Sequence, residues 1–392
     1  MKTEILLAAA VAAATVALGA PQKAGGKKVP KPAAAKQTVL WKNGDNGVKV
    51  YRIPALCTAP DGKTLVAACD ARYDHLQDLN REPWQKINIA IRTSKDGGKV
   101  WTPSAYSHEW KWDEEEKWAG SDPSFVVDMK AKKIFLFYNV AEYVKSPKIY
   151  RQYVQESADN GKTWSEPKDI SDAIRPKGWS ANGFIFMTSG SGIQTKDGVL
   201  LHTLVWVGKQ VALFGSDDGG ATWKAWGAPT KEPGDECKVV ELSDGRLMIN
   251  SRKDVGSREI FVSADNGETW EHTTDLMLED GRCNAQIMSY PTGKLAGKKV
   301  PGTKSDVYPK AVLLFSNCKA KNRSNLTLRT SWDDGESWSD GVCVEPGAAS
   351  YSDLCILKAA PSKPPDVGVI FEGSGEKDIR FTTVKSQEFL KK

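Results

Sequence analysis

Ser94-Lys-Asp96-Gly-Gly98-Lys-Val-Trp101 is the first of five versions of one octet in this chain. The others are Ser157-Ala-Asp159-Asn-Gly161-Lys-Thr-Trp164, Ser216-Asp-Asp218-Gly-Gly220-Ala-Thr-Trp223, Ser263-Ala-Asp265-Asn-Gly267-Glu-Thr-Trp270 and Ser331-Trp-Asp333-Asp-Gly335-Glu-Ser-Trp338. The shared pattern is Ser-x-Asp-x-Gly-x-(Thr/Val/Ser)-Trp, and its chemistry is that of a tight hairpin turn. The Asp carboxylate accepts backbone N–H groups, and the Gly takes a positive φ without steric cost. The Trp carries a large apolar surface out of the turn into a core. Successive octets start 47 to 68 residues apart, the length of a four-stranded β unit. A recurrence of that period predicts a repeat architecture, an all-β six-bladed β-propeller with five such repeats.

This octet is the Asp-box. It sits in binding proteins as readily as in enzymes, so it speaks for the fold and leaves chemistry to other residues.

The strands repeat with the boxes. Tyr51–Leu56, a turn at Asp61-Gly62 and Leu65–Ala68 form a hairpin, as do Ile193–Thr195 with Leu200–Leu204 and Val239–Leu242 with Leu247–Asn250. Ile134–Tyr138, Ala311–Phe315 and Val367–Phe371 are near-continuous apolar runs, as expected where sheets stack on both faces. A sixth blade, without a box, is drawn from Ser352–Leu357, Val367–Phe371 and Ile379–Val384. Thr38-Val-Leu-Trp41 is expected to supply its missing strand and close the ring, removing an open edge.

The propeller accounts for residues 38–392. Residues 1–20, an Ala/Val/Leu run ending in small residues, are expected to be a secretory signal peptide, and 21–37, rich in Lys, Pro, Ala and Gly, a low-complexity linker. A secreted or periplasmic location follows, with no membrane contact once the signal is cleaved; a retained N-terminal anchor is the alternative. The formal charge is +5, and five lysines lie in the linker, so the folded part is near balance and nothing favours nucleic acid as a partner. Seven cysteines without CxxC spacing and four scattered histidines predict neither a metal site nor a disulfide framework, and no cofactor is expected. Isolated cysteines among apolar residues are expected as buried small hydrophobes.

Three arginines are placed oddly for structural residues. Arg52 opens the first inner strand, Arg252 follows the apolar strand ending at Asn250, and Arg323 lies in Asn322-Arg-Ser324. They belong to different blades. Three guanidinium forks converging on one point would grip a carboxylate through charge-assisted bonds; three unrelated surface arginines are the plainer alternative.

With Tyr51-Arg-Ile-Pro54 and the repeated boxes, the chain from residue 38 resembles the exo-α-sialidase (neuraminidase) family in its bacterial and animal form. The resemblance implies that Arg52, Arg252 and Arg323 hold the carboxylate of sialic acid, with sialylated glycans as substrates. In Asp70-Ala-Arg72-Tyr-Asp74-His-Leu-Gln-Asp78, it makes Asp78 the general acid/base, with Asp74 as the alternative. Asp70 and Arg72 resemble a supporting acid and a fourth arginine near the substrate's 4-position. Ser121-Asp122-Pro-Ser124 resembles a motif that sets Asp122 on the substrate-facing rim. Glu236 resembles the catalytic glutamate, Ser350-Tyr351-Ser352 the nucleophile motif, and Glu372 the carboxylate that orients the first arginine. The departures are small: Tyr51 stands where Phe is more frequent, and Cys237 follows Glu236 where a polar residue is common. The implied reaction is hydrolysis with retention of configuration through a tyrosine nucleophile. Transfer, including intramolecular transfer, would use the same residues, and a sialic-acid-binding propeller without catalysis is a third possibility. The run His108–Trp118 is expected to be a solvated loop with aromatic anchors rather than a rim for the aglycone.

Overall fold

The computed structural model describes residues 36–144, 149–181, 183–253, 256–300, 306–359 and 363–391. The expected signal peptide, and the expected linker up to residue 35, lie outside the described residues.

Six antiparallel blades follow one another around a ring, with only two four-residue α-helices among the described elements. The first blade is Val50–Thr58, Leu65–Arg72, Ile87–Ser94 and Ala105–Tyr106, paired in that order. The second runs from Trp118–Asp128 to Lys168–Asp169, and the fourth from Cys237–Glu241 to Glu271–Asp275. The fifth and sixth share one long strand, Val342–Ile356. Its first part pairs with Ser324–Ser331 and its second with Val367–Gly373, so the two blades form one seven-stranded sheet.

Thr38–Lys42 is the outer strand of the sixth blade. It pairs with Asp378–Val384 in the register Thr38↔Phe381 and Trp41↔Ile379, which closes the ring with a strand from the other end of the domain, as the sequence led us to expect.

The third blade departs from expectation. Its inner strand is not one hairpin arm but three pieces, Ile185–Met187, Gly190–Ser191 and Ile193–Gln194. The middle piece leaves its own sheet and pairs in parallel with the second blade, Gly190 opposite Ser124. Two glycines permit the detour. Gly190 has φ +100, and a Cβ there would lie 2.9 Å from the Lys238 side chain. A Cβ on Gly192 would lie 2.4 Å from the Leu201 carbonyl.

The core is a set of layers between consecutive blades. Leu56, Leu65, Ala67 and Tyr51 of the first blade meet Trp41, Ile370 and Phe381 of the sixth. Phe135 and Phe137 of the second meet Phe214 and Trp223 of the third. Comparable layers join the remaining neighbours. Because every sheet is covered on both faces, its middle strands are apolar throughout rather than alternating.

The Asp-boxes lock these layers. In each, the Ser hydroxyl accepts the Gly N–H, at 2.7–3.0 Å, and bonds to an Asp oxygen, at 2.7–2.9 Å. The same Asp accepts the N–H of the residue before Trp. The turn thus folds onto its own carboxylate. Where that penultimate residue is Thr or Ser, its hydroxyl adds another bond to the Asp.

Six of the seven cysteines are buried and Cys343 is half-buried, all as free thiols. Cys283 and Cys318, with sulfurs 3.7 Å apart, pack with Ile53 against Tyr351.

Candidate active site

Three first strands carry a β-bulge at the same end of the ring. Register is lost between Arg52 and Ala55, between Ser121 and Ser124, and between Ala349 and Ser352. In the first two, the residue before a proline has a positive φ: Ile53 at +59 and Asp122 at +63. For a β-branched residue this is a rare and costly conformation, held only where the surroundings over-determine it. The surroundings are polar: the Ile53 N–H donates to Glu372 Oε1 at 2.9 Å, and the Asp122 N–H to Asp70 Oδ1 at 2.9 Å. Each bulge lies at a residue of one polar cluster: Arg52, Asp122 and Tyr351.

At its centre is Tyr351, with its ring buried. Its hydroxyl donates to Glu236 Oε1 and lies 3.3 Å from Arg252 Nη1, which itself donates to Glu236 Oε2 at 2.8 Å. The guanidinium carbons of Arg52 and Arg323 each stand 5.3 Å from the ring centroid. The expected trio of arginines therefore converges, from the first, fourth and fifth blades, on one phenol. Burial, and then the Glu236 carboxylate, push the phenol well above its usual pKa, while the three arginines pull it back. The hydroxyl rests protonated with a carboxylate already in contact.

Glu372 fixes the first arginine. It accepts Arg52 Nε and Nη2 at 3.0 and 3.1 Å, and the N–H of Tyr351 at 3.3 Å. One buried carboxylate thus ties the first strand of blade one to the tyrosine. Burial opposes its charge, but Arg52 wins and holds its pKa below the usual range.

Arg72 heads a second cluster. Fully buried, it is gripped by Asp70 through Nε and Nη2 at 3.1 and 2.8 Å, and its Nη1 donates to Asp78 at 2.9 Å. Asp70 also accepts the Ser121 hydroxyl at 2.6 Å. The Asp78 side chain is 53% exposed. Partial burial opposes its ionisation, yet the charges of Arg72 and Arg52 hold it below the ordinary carboxylate value. Asp74 meets the structure through its backbone, its N–H donating to Gln85. Geometry thus favours Asp78 over Asp74 as the acid nearest the arginines.

Asp122 is the opposite case. Burial, then the neighbouring carboxylates of Asp70 and Asp78, raise it well above its usual pKa. Its Oδ2 accepts the Asn139 amide at 3.2 Å.

Two residues of the site are not apparent in the sequence. Gln85, 2% exposed, ties the loop that carries Asp78: its Oε1 accepts the N–H groups of Asp74 and His75, and its Nε2 donates to the carbonyls of His75 and Gln77. Glu376 bridges two of the trio, accepting Arg323 Nη1 at 2.6 Å and lying 3.3 Å from Arg52 Nη2. No sequence signal marks Gln85.

The Trp-rich segment behaves as an anchored loop. Trp110 stacks on Trp118 and meets Tyr138 and Tyr153 edge-on, while residues 113–116 face solvent. Among the described residues, no group of three His, Cys, Asp or Glu side chains could hold a metal.

Fold and site define a propeller of Asp-box blades with a cluster of arginines and acids around one tyrosine. The profile of the BNR repeat-like domain matches residues 80–361. A sialidase of Micromonospora viridifaciens is 34% identical over 381 residues, covering 90% of this chain and 55% of that protein. A sialidase of Bacteroides fragilis is 28% identical, covering 89% of this chain and 64% of that protein. Among solved structures, the Hadza microbial sialidase Hz136 superposes with a TM-score of 0.74 at 25% identity, covering 88% of this chain and 68% of that one. The chain belongs to the exo-α-sialidase family of BNR-repeat proteins. It spans about half to two thirds of the length of the two relatives it matches.

Proposed function

We propose that the protein is an exo-α-sialidase that hydrolyses terminal, α-ketosidically linked sialic acid from glycans with retention of configuration. The observation that carries this reading is the Tyr351 hydroxyl seated on Glu236 and Arg252 beneath the arginines of two further blades.

The chemistry follows from the substrate. Sialic acid bears a carboxylate on its anomeric carbon, where a carboxylate nucleophile would meet like charge. A phenol is neutral until it attacks. As the Tyr351 oxygen bonds to the anomeric carbon, its proton passes to Glu236, and the arginines stabilise the developing phenolate. Asp78 gives its proton to the leaving aglycone oxygen and then takes one from the attacking water. The free site holds Asp78 ionised; a bound substrate carboxylate cancels part of the arginine field and restores the proton. Asp70 and Arg72 support Asp78, and Asp122 offers a protonated carboxyl to the sugar's hydroxyls. Tyrosine nucleophiles in sialidases are a recognised exception to the two-carboxylate scheme of glycosidases.

Turnover of a fluorogenic sialoside, with NMR of the first sugar released, tests the reading. The α-anomer is expected. The β-anomer overturns the double displacement, no turnover with intact binding means a lectin, and an anhydro or transferred sugar means transfer.

A further inference from the structure

Glu376 presents a carboxylate where the substrate's should go. Its Oε1 lies 2.6 Å from Arg323 Nη1, 3.3 Å from Arg52 Nη2 and 3.2 Å from the Ser350 hydroxyl. One oxygen thus engages two guanidiniums of different blades, the contact that a sugar acid would make. The trio is otherwise committed to structure: Glu372 holds Arg52 from behind, and Glu236 holds Arg252. With Glu376 in place, three guanidiniums face three carboxylates, and the trio carries no surplus charge toward an anion. With Glu376 withdrawn, one positive charge is left over for a ligand carrying one negative charge.

The hairpin turn is built for such a part. Ser374, Gly375 and Glu376 have φ of 51°, 69° and 66°, three left-handed residues in a row, of which only one is glycine. Such backbone is costly for non-glycine residues and clusters at ligand clamps. The backbone is pinned, with the Asn43 amide donating to the Glu376 carbonyl at 3.0 Å and the Asn43 N–H to that of Lys377 at 3.0 Å. The Glu376 side chain is 20% exposed and can leave by rotating its own bonds.

We propose that Glu376 is a resident carboxylate that fills part of the arginine pocket in the free enzyme and is displaced by the carboxylate of the substrate. It keeps the arginines apart from adventitious anions and weakens binding by the fraction of time it occupies the pocket. The inference rests on the sialidase reading of the same site.

The test is the split between KM and kcat in Glu376→Gln, with the KM of a fluorogenic sialoside and calorimetric binding of an unsaturated sialic acid analogue measured side by side. Removing an occupant present about 70–90% of the time lowers both KM and the analogue's Kd about threefold to tenfold. Glu376→Gly, which also relieves the left-handed backbone, is expected to do the same and covers the case in which the glutamine variant does not fold. An unchanged or raised Kd in the variants, with an active wild type, overturns the resident carboxylate and makes Glu376 a brace for Arg323. A wild-type protein that neither cleaves the sialoside nor binds the analogue overturns the sialidase reading, and this inference falls with it.

Discussion

Tyr351 has two separable parts, a buried ring that packs and a hydroxyl that reacts. Tyr351→Phe keeps the ring against Ile53, Cys283 and Cys318 and removes only the group between Glu236 and Arg252. The expected result is a fall in kcat of at least about a hundredfold, the scale of lost nucleophilic and proton-transfer help; turnover near wild type refutes the nucleophile. Asp122 yields a prediction in stability instead. Its folded pKa is raised, so protonation favours the fold. The penalty is absent below the unfolded value of about 3.9 and grows as pH rises through the folded value. Asp122→Asn removes the charge, can still accept from Asn139, and suits the positive φ. Denaturant titration is expected to show a gain of order 1 kcal/mol at pH 7 that vanishes near pH 4; a gain constant across pH contradicts a buried, disfavoured charge. These residues were legible because each sits in a motif whose order along the chain is itself informative. Glu376 was not, because a glutamate in a Ser-Gly-Glu-Lys turn reads as solvent-facing until Arg323, 53 residues earlier, is brought beside it.

The element that repeats is the Asp-box turn, and its glycine does more than adopt a left-handed φ. Each box rests on the preceding blade. A Cβ on Gly98 would lie 2.1 Å from the Phe381 ring, on Gly161 2.7 Å from Val66, and on Gly220 2.0 Å from Phe135. At Gly267 the nearest side-chain atom stands 3.6 Å away, ordinary contact. Left-handed strain is common to all of these, but close approach is not. Gly267→Ala is expected to cost about 1 kcal/mol from φ alone, and Gly220→Ala about 2–4 kcal/mol, because the Phe135 ring must also move within a filled core. Equal losses of melting temperature in the two variants would show that the glycines serve φ only. The spacing of the boxes disclosed the blades, and the Trp disclosed the core. The bulges stayed hidden. Ile53-Pro54 and Asp122-Pro123 look like ordinary extended dipeptides, since the residue before proline normally avoids other backbone regions. The broken inner strand of the third blade was hidden for a similar reason. Its Gly190 and Gly192 are explained by close approaches to the Lys238 side chain of the next blade and to the Leu201 carbonyl of its own hairpin, which only the packed blades display.

A ring of blades has one seam, and here the seam is Thr38–Lys42 against Asp378–Val384. Among the described strands, the other pairings lie within a blade or between consecutive ones. This pairing joins residues more than 330 positions apart, so it forms at the greatest cost in chain entropy and must be made secure by burial. Trp41, 1% exposed, supplies it: the indole lies in the layer between the sixth and first blades and donates to the Ser104 hydroxyl at 2.8 Å. Leu40 is buried beside it. Trp41→Ala is expected to cost about 3–5 kcal/mol, the range for removing a large buried aromatic. Deleting residues 38–43 removes both side chains, leaves Asp378–Val384 as an open edge that invites intermolecular pairing, and releases the Asn43 bonds that pin the turn bearing Glu376. The deletion is therefore expected to lower the melting temperature beyond Trp41→Ala and to promote aggregation. Thermal stability unchanged by the deletion would mean that the ring does not depend on its seam.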